Sequence, residues 1–369
     1  MKYYLIAGEK SGDLHGANLI RALKKHDENA TFRCFGGDEM EKAGATVVKH
    51  YAEMSFMGFV SVLLNLNKIR RFIRECEDDI LQHQPHVIIF IDYAGFNLRV
   101  AEFVKKYGFK TFYYISPKVW AWNTKRAWKI KRIVDRMFCI MTFEKEFYQQ
   151  FDYEVDYIGN PLFDATQSFQ PNPNFIQENQ LSDKPIIAIL AGSRRQEVKY
   201  QLPLMLQMVD LFPDYQFVVA GVTNLDQSQY ALAVQANIKV VYNQTYDLLY
   251  VATAALVTSG TATLETALFN VPQVVCYKGD FFSMVIAWLV IKIKYVSLVN
   301  LSAGKEVVKE LLQYDITKEA LQKELQKALH ENREKILADY QELKAKIQTE
   351  ESASETAARL MWKYLKMKI

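Results

Sequence analysis

The sequence predicts an α/β protein of two domains, each with a parallel β-sheet and flanking helices, followed by C-terminal helices. The first observation is the length, because 369 residues exceed what a single hydrophobic core usually serves. The second is a repeated order of short apolar run, Gly- or Pro-marked turn and helical pattern in both halves. The third is that the apolar runs are continuous, which indicates strands covered on both faces.

The predicted strands are runs rich in β-branched and aromatic residues. They are residues 2–7, 87–91 and 111–115 in the first half and 185–190, 216–220, 239–242, 254–258 and 273–277 in the second. The pattern lapses between the halves in a polar stretch with two prolines, which is typical of a linker. We therefore predict a first domain at 1–165, a linker at 166–184, a second domain at 185–345, and a C-terminal helix at 346–369 that can pack back on the first domain.

Composition excludes several function classes. The net charge of +3 does not favour nucleic-acid binding, and half of the residues are hydrophobic, as in a folded globular protein. The four scattered cysteines disfavour a disulfide scaffold or zinc site and fit a reducing cytoplasm. Residues 2–7 are expected to form a first strand, not a signal peptide. The longest apolar run, 281–291, falls short of the ~20 residues that span a bilayer.

Polar residues follow the predicted strands of the first half, where ligands of parallel sheets bind. Asp92 comes directly after an apolar strand, so partial burial would raise its pKa and suit it to general-base catalysis. The alternative is a structural aspartate that binds a turn. For Ser11 and Asp13, the alternative is that they cap the following helix. The residues predicted to bind an acceptor or its phosphate are Ser11, Gly12, Asp13, Asn97, Ser116 and Lys118.

Two turns of the second half are suited to a sugar nucleotide. A small-residue turn ends at Arg194, whose guanidinium can bind a diphosphate, although a surface pair with Glu197 is the alternative. A Ser-Gly-Thr turn opens a helix whose free N–H groups can bind an anion, while Glu265 accepts from a ribose. An ordinary capped helix is the alternative here. The predicted nucleotide-binding residues are Gly192, Ser193, Arg194, Ser259, Gly260, Thr261, Ala262, Thr263 and Glu265.

Two Rossmann-like domains that face each other across a cleft form the GT-B architecture of glycosyltransferases. The chain contains no D-x-D motif, with which metal-dependent glycosyltransferases hold a divalent ion. We therefore expect no metal and no cofactor. The leaving diphosphate would instead be stabilised by a helix dipole and cationic side chains.

An apolar segment followed by basic residues predicts an interfacial helix on an anionic bilayer. A buried helix with a basic cap is the alternative. The residues of this predicted membrane surface are Phe56, Met57, Phe59, Val60, Leu63, Leu64, Lys68, Arg70 and Arg71. The apolar run 281–291 makes a homodimer a further prediction.

Ordered motifs along nearly the whole chain resemble those of the lipid-A-disaccharide synthases. They include Gly-Glu-Lys-Ser-Gly-Asp at 8–13, Ser-Pro-Lys-Val-Trp-Ala-Trp at 116–122 and Ser-Gly-Thr-Ala-Thr-Leu-Glu at 259–265, with further matches at 57–60, 91–92, 96–97, 159–162, 192–194 and 295–301. The chain departs from the family at Ala94-Gly95, where Pro-Asp is common, at Ala191, where Pro is common, and at Asn160, where His is common.

The resemblance implies a GT-B enzyme at the inner leaflet of the cytoplasmic membrane. The family transfers 2,3-diacylglucosamine from its UDP derivative to 2,3-diacylglucosamine 1-phosphate (lipid X), forming a β-1,6 disaccharide with inversion and releasing UDP. It also implies Asp92 as the base, Glu9 and Asn300 as further catalytic residues, and the nucleotide-binding residues above as a UDP site. A UDP-N-acetylglucosamine 2-epimerase, a peptidoglycan GlcNAc transferase and a non-catalytic lipid-binding protein are the alternatives.

Overall fold

The structure is a computed structural model that describes residues 1–54, 65–279 and 294–367. The chain forms two compact units. The first comprises Met1–Pro161 together with Thr349–Ile369, and the second comprises Leu162–Gln348.

The first unit is built on a seven-stranded sheet in which all neighbouring strands are parallel. The strand order is β3-β2-β1-β4-β5-β6-β7. The strands are β1 (Lys2–Ala7), β2 (Thr31–Gly36), β3 (Ala45–His50), β4 (Val87–Ile91), β5 (Thr111–Tyr114), β6 (Arg136–Cys139) and β7 (Asp156–Tyr157).

Helices cover both faces of this sheet. Alternate residues of β1 enter two separate cores, with Tyr4 and Ile6 in one and Tyr3 and Leu5 in the other. This explains why the strand is hydrophobic at every position from Tyr3 to Ala7. The helices are α1 (Lys10–His26), α2 (Asp38–Lys42), α3 (Tyr51–Met54), α4 (Leu66–His83), α5 (Ala94–Lys106), α6 (Val119–Trp122), α7 (Arg126–Ile133), α8 (Phe143–Gln149) and the C-terminal α18 (Ala353–Lys366).

The C-terminal helix α18 is part of the first unit. Ala357, Ala358 and Met361 of this helix are buried in the same core as the apolar face of α1. Lys25 of α1 forms an ion pair with Glu355 at the surface. The chain therefore returns to its first unit after completing the second.

The second unit contains a six-stranded parallel sheet of order β10-β9-β8-β11-β12-β13. Its strands are β8 (Ile186–Leu190), β9 (Gln216–Gly221), β10 (Lys239–Tyr242), β11 (Ala252–Thr258), β12 (Gln273–Tyr277) and β13 (Lys309–Leu312). Its helices are α9 (Pro161–Gln167), α10 (Phe175–Glu178), α11 (Arg195–Leu206), α12 (Ala231–Gln235), α13 (Thr245–Val251), α14 (Thr261–Leu268), α15 (Leu298–Ala303), α16 (Lys318–Leu329) and α17 (Arg333–Ile347), with 3-10 turns at Val209–Leu211, Gln227–Tyr230 and Gln313–Asp315.

The predicted α/β class with two parallel sheets is confirmed, as are helices near the C-terminus. The polar stretch between the predicted domains is not wholly irregular, since it contains α10. Phe175 of that helix is buried in the core of the second unit, and the backbone N–H of Asn172 donates to Asp247 at 2.7 Å. Part of this stretch is therefore integral to the second unit.

Candidate active site

The carboxyl end of the first sheet carries two carboxylates and an ammonium group. Glu9 follows β1, Asp92 follows β4 and Lys118 follows β5, and these three strands are neighbours in the sheet. Carboxyl ends of parallel strands meet at one edge, which is where such sheets bind ligands. Glu9, Lys118 and the nearby Ser11 are exposed, whereas Asp92 is half-buried.

Asp92 lies in a strained turn. The φ angle is 43° at Asp92 and 45° at Tyr93, a left-handed conformation that non-glycine residues seldom adopt. Burial raises the pKa of the Asp92 carboxyl, the ammonium of Lys118 opposes that rise, and the carboxylate of Glu9 adds to it. A carboxyl with a raised pKa at an open sheet edge is suited to taking a proton.

Gly8 allows this turn to pack against the end of β1. A Cβ atom at Gly8 would lie 2.2 Å from Cδ1 of Tyr93, so a larger residue would displace the ring. The Tyr93 hydroxyl in turn donates to the carbonyl of Met54 at 2.9 Å. The absence of a side chain at Gly8 thus leaves the space in which the ring of Tyr93, the residue after Asp92, is packed.

Asp13 maintains the fold of this edge. It is 2% exposed, and its carboxylate accepts backbone N–H bonds from Gly37, Glu39 and Met40 at 2.8–3.2 Å. These are the donors at the start of α2, so Asp13 caps that helix from a distance. Gly12 is buried beside it, where an added Cβ would lie 3.1 Å from the Cβ of Ala7.

Asn97 and Ser116 are also buried. The Asn97 amide donates to the carbonyls of Asp92 at 2.8 Å and Ile91 at 3.2 Å, which holds the turn after β4. The Ser116 hydroxyl is 3.0 Å from that of Tyr148. The geometry favours a supporting role for both residues, and their contact with an acceptor stays a prediction.

Glu144 is a further buried carboxyl group that the sequence analysis did not single out. It is 2% exposed and accepts from Trp120 Nε1 and from the backbone N–H of Met141, each at 3.1 Å. Burial raises the pKa of Glu144 to about 7, although its hydrogen-bond donors lower it. The signal that indicated Asp92 does not apply to Glu144, because β6 contains Arg136 and Glu144 lies inside α8, five residues after that strand. Glu144 holds the segment 116–122 against α8.

The turn after β8 is tightly folded around Glu197. Gly192 has a φ of 113°, and a Cβ there would lie 2.5 Å from the Cβ of Glu197, so glycine is required. The Glu197 carboxylate accepts from the N–H groups of Ser193 at 2.9 Å and Arg194 at 3.2 Å. The Arg194 guanidinium pairs with Glu197 at 2.6 Å and is 69% exposed, so the surface pair considered above is present. This exposed guanidinium is accessible to an anion.

The start of α14 is an open helix N-terminus. Gly260 and Thr261 are exposed, and no acceptor for the backbone N–H of Thr261 or Ala262 occurs in the described part of the chain. The Thr263 hydroxyl donates to the Gly260 carbonyl at 2.8 Å, and the Ser259 hydroxyl donates to a neighbouring loop. Free N–H groups and the positive end of the helix dipole make this turn suitable for a phosphate.

Glu265 lies one turn further along α14 and is held by Tyr246. The Tyr246 hydroxyl donates to Oε1 of Glu265 at 2.8 Å. Burial raises the pKa of Glu265, and this hydrogen bond opposes the rise. No sequence pattern indicated Tyr246, because the contact joins residues of separate helices. The tyrosine orients the carboxylate predicted to accept from a ribose.

Asn300 is fully buried in α15. Its Oδ1 accepts from the N–H groups of Val307 at 2.8 Å and Val308 at 3.0 Å. Its Nδ2 donates to the carbonyl of Val308 and to Glu310, each at 2.9 Å. All four hydrogen-bonding positions of the amide are thus used within the protein. A direct catalytic contact of Asn300 stays a prediction, and the geometry favours positioning.

Part of the predicted membrane surface lies outside the described residues. This holds for Phe56, Met57, Phe59, Val60, Leu63 and Leu64, as it does for the apolar run 281–291. Lys68, Arg70 and Arg71 are exposed on α4, and Arg71 forms an ion pair with Glu75 at 3.3 Å. Among the residues that the structure describes, no helix is long and apolar enough to cross a membrane, and no group of three acidic, His or Cys side chains is placed to hold a metal ion.

Solved structures with a similar fold include UDP-GlcNAc 2-epimerases. The Neisseria meningitidis UDP-GlcNAc 2-epimerase bound to UDP-GlcNAc matches with a TM-score of 0.64 at 14% identity and covers 99% of both chains. The Methanocaldococcus jannaschii UDP-GlcNAc 2-epimerase in complex with UDP-GlcNAc and UDP matches with a TM-score of 0.63 at 15% identity, over 98% of this chain and 99% of that one. The fold is therefore that of the GT-B glycosyltransferases and related epimerases.

The sequence comparisons identify the family within this class. The profile of the family described as Lipid-A-disaccharide synthetase matches residues 3–362. The lipid-A-disaccharide synthase of Coxiella burnetii (strain Dugway 5J108-111) is 36% identical over 360 residues, which cover 96% of both chains. That of Psychromonas ingrahamii is 38% identical over 343 residues, which cover 90% of both chains. The chain belongs to the lipid-A-disaccharide synthase family and is a glycosyltransferase of lipid A biosynthesis.

Proposed function

We propose that the chain transfers 2,3-diacylglucosamine from its UDP derivative to lipid X through Asp92 as general base. The placement of Asp92 carries the proposal, since it is a half-buried carboxyl with a raised pKa in a strained turn at an open sheet edge. The 6-hydroxyl of lipid X attacks the anomeric carbon as its proton passes to Asp92. The bond between that carbon and the UDP oxygen breaks, and UDP leaves with the electron pair, which inverts the anomeric centre.

The groups around Asp92 assist this step in different ways. Lys118 lies close enough to affect the charge of Asp92 and is exposed, so it can bind the 1-phosphate of lipid X. Glu9 disfavours a second negative charge beside it and thereby makes Asp92 a stronger base. Ser11 offers an exposed hydroxyl at the start of α1. The buried Gly12, Asp13, Asn97 and Ser116 preserve the shape of the edge.

UDP is bound by the second unit in this proposal. The diphosphate accepts from the free N–H groups at the start of α14 and from the Arg194 guanidinium, which together stabilise the negative charge of the leaving group. Glu265, oriented by Tyr246, accepts from the ribose hydroxyls. Neither contact needs a metal ion, in agreement with the absence of a D-x-D motif.

The reaction is tested by incubating the full chain with both lipid precursors and measuring released UDP and disaccharide 1-phosphate. Release that requires both precursors, with one disaccharide per UDP, is the expected result. Conversion of UDP-N-acetylglucosamine without an acceptor would indicate an epimerase instead. Binding of the lipids with no UDP released would indicate a non-catalytic protein and would exclude the proposal.

Replacing Thr261 by Pro is expected to weaken UDP binding by about tenfold or more, because it removes one N–H from the phosphate site. Proline is well tolerated at the first position of a helix, and the preceding Gly260 is not helical, so the fold is expected to be retained. Titration calorimetry with UDP measures the effect. Thr261→Ala, which keeps the N–H, is the matched control. Equal UDP affinity of T261P and T261A would exclude the helix start as the phosphate site.

The chain also binds the cytoplasmic face of the inner membrane in this proposal, through the residues at 56–64 and the basic side of α4. Replacing Lys68, Arg70 and Arg71 together by Gln is expected to weaken binding to vesicles containing phosphatidylglycerol by about a hundredfold, at roughly 1 kcal/mol for each charge. Vesicle flotation checks this, with Lys318, Lys323 and Lys335, exposed in the second unit, replaced by Gln as the control. Unchanged flotation of the α4 variant would contradict the assignment.

A homodimer also stays a prediction, to be checked by sedimentation.

A further inference from the structure

Glu310 has a carboxylate that is bound entirely by one neighbouring turn. It belongs to β13, an edge strand, and is half-buried. Oε2 accepts from the N–H of Val296 at 2.9 Å. Oε1 accepts from the N–H of Ser297 at 2.9 Å, from its hydroxyl at 2.6 Å and from Asn300 Nδ2 at 2.9 Å. Four donors on one carboxylate form a strong, charge-assisted set of hydrogen bonds.

The turn that Glu310 binds also contacts the start of α14. The carbonyl of Val296 accepts from the Ser259 hydroxyl at 2.8 Å. The N–H of Leu298 donates to the Thr263 hydroxyl at 3.2 Å. Residues 296–298 are therefore held between Glu310 on one side and the two hydroxyl residues of the proposed phosphate site on the other.

We propose that Glu310 is a positioning residue for UDP binding, acting through the turn at 296–300 on Ser259 and Thr263. The inference rests on the UDP site proposed above. A carboxylate is required because each of its oxygens faces a backbone N–H group. A glutamine would present its own amide N–H groups to one of those donors, and the turn would lose its fixed place. The Ser259 hydroxyl and the first turn of α14 would then lose their support.

The test compares Glu310→Gln with Glu306→Gln in the full-length protein. Glu306 is an exposed glutamate nearby that pairs only with Lys309 at 3.1 Å among the described ion pairs, so E306Q is the matched control. E310Q is expected to raise the Kd for UDP and the KM for the UDP-sugar by about tenfold or more, while the KM for lipid X stays within about twofold. E306Q is expected to leave all three unchanged.

A loss of stability alone would not produce this pattern, because a smaller folded fraction lowers the apparent kcat and leaves both KM values in place. Ser297→Ala removes one of the four donors to Glu310 together with the hydroxyl that caps α15. It keeps the test usable if E310Q fails to fold, and is expected to weaken UDP binding by a few-fold. Wild-type UDP affinity in E310Q, or in S297A if E310Q does not fold, would overturn the inference. Failure of the wild-type protein and E306Q to bind UDP would instead overturn the proposed UDP site.

Discussion

Replacing Asp92 by Asn is expected to lower the rate of disaccharide formation by about 10²–10⁴-fold while UDP still binds. The amide has nearly the same shape as the carboxyl group but cannot take the proton of the attacking hydroxyl. The carbonyl of Asp92 holds its bonds from Asn97 and Tyr113 through the backbone, so the turn after β4 is expected to keep its conformation. The measurement is UDP release at saturating concentrations of both lipid substrates.

The pH dependence provides a second check on the same residue. A base must be ionised to act, so transfer is expected to rise with pH through the pKa of Asp92. Because burial raises the pKa of Asp92, the transfer rate is expected to increase at a higher pH than it would with an aspartate of ordinary pKa. The residual activity of D92N is expected to lack it. Asp38→Asn, at an exposed aspartate of α2, is the control. Near-normal transfer by D92N would eliminate Asp92 as the base.

The second large effect concerns stability and Glu144. The pKa of Glu144 is about 7 in the folded protein against 4.5 for the exposed group, chiefly because of burial. The unfolded chain therefore loses this proton at lower pH than the folded chain does, and folding is progressively disfavoured as the pH rises from about 4.5 to about 7. The resulting loss is about 3 kcal/mol in the free energy of unfolding, complete above the folded pKa.

Glu144→Gln is expected to remove this loss, so that the free energy of unfolding of the variant relative to wild type increases between pH 4.5 and pH 8. The comparison is made as a difference, because Asp92, Asp156 and Glu265 also have raised pKa values. Urea unfolding at several pH values measures it. Glu146→Gln, at an exposed position of the same helix, is the control. A difference between E144Q and wild type that does not change with pH would contradict the assignment.

The sheets are predictable from sequence where burial on both faces leaves an uninterrupted apolar run. The predicted runs at 2–7, 87–91, 239–242 and 273–277 coincide with β1, β4, β10 and β12. Five strands, β2, β3, β6, β7 and β13, are not marked by such a run, and each of them contains a charged residue. Arg33 in β2 is neutralised by Asp79 at 2.6 Å, and Glu310 in the edge strand β13 faces the donors of a neighbouring turn. Such partners are distant in sequence, so a local pattern does not reveal them.

The site, like the sheets, is only partly predictable from the local sequence. The strand-turn-helix order indicates where ligands bind, which is why Asp92, Arg194 and the start of α14 could be identified in advance as candidates. It does not distinguish a side chain that contacts a ligand from one that holds the fold. Asp13 lies at the start of a helix yet caps another helix, and the Asn300 amide is fully hydrogen-bonded to backbone groups and to Glu310. Tyr246 and Glu310 act through residues brought near only by folding.

The central claim is that proton abstraction depends on Asp92 in the first unit, whereas UDP binding depends on the helix start in the second. The most direct measurement is UDP affinity by calorimetry beside the transfer rate at saturating donor, for both D92N and T261P. We expect D92N to bind UDP as the wild type does and to have lost transfer, and T261P to bind UDP about tenfold more weakly. Wild-type transfer by D92N, or a loss of UDP binding in D92N equal to that in T261P, would contradict the claim.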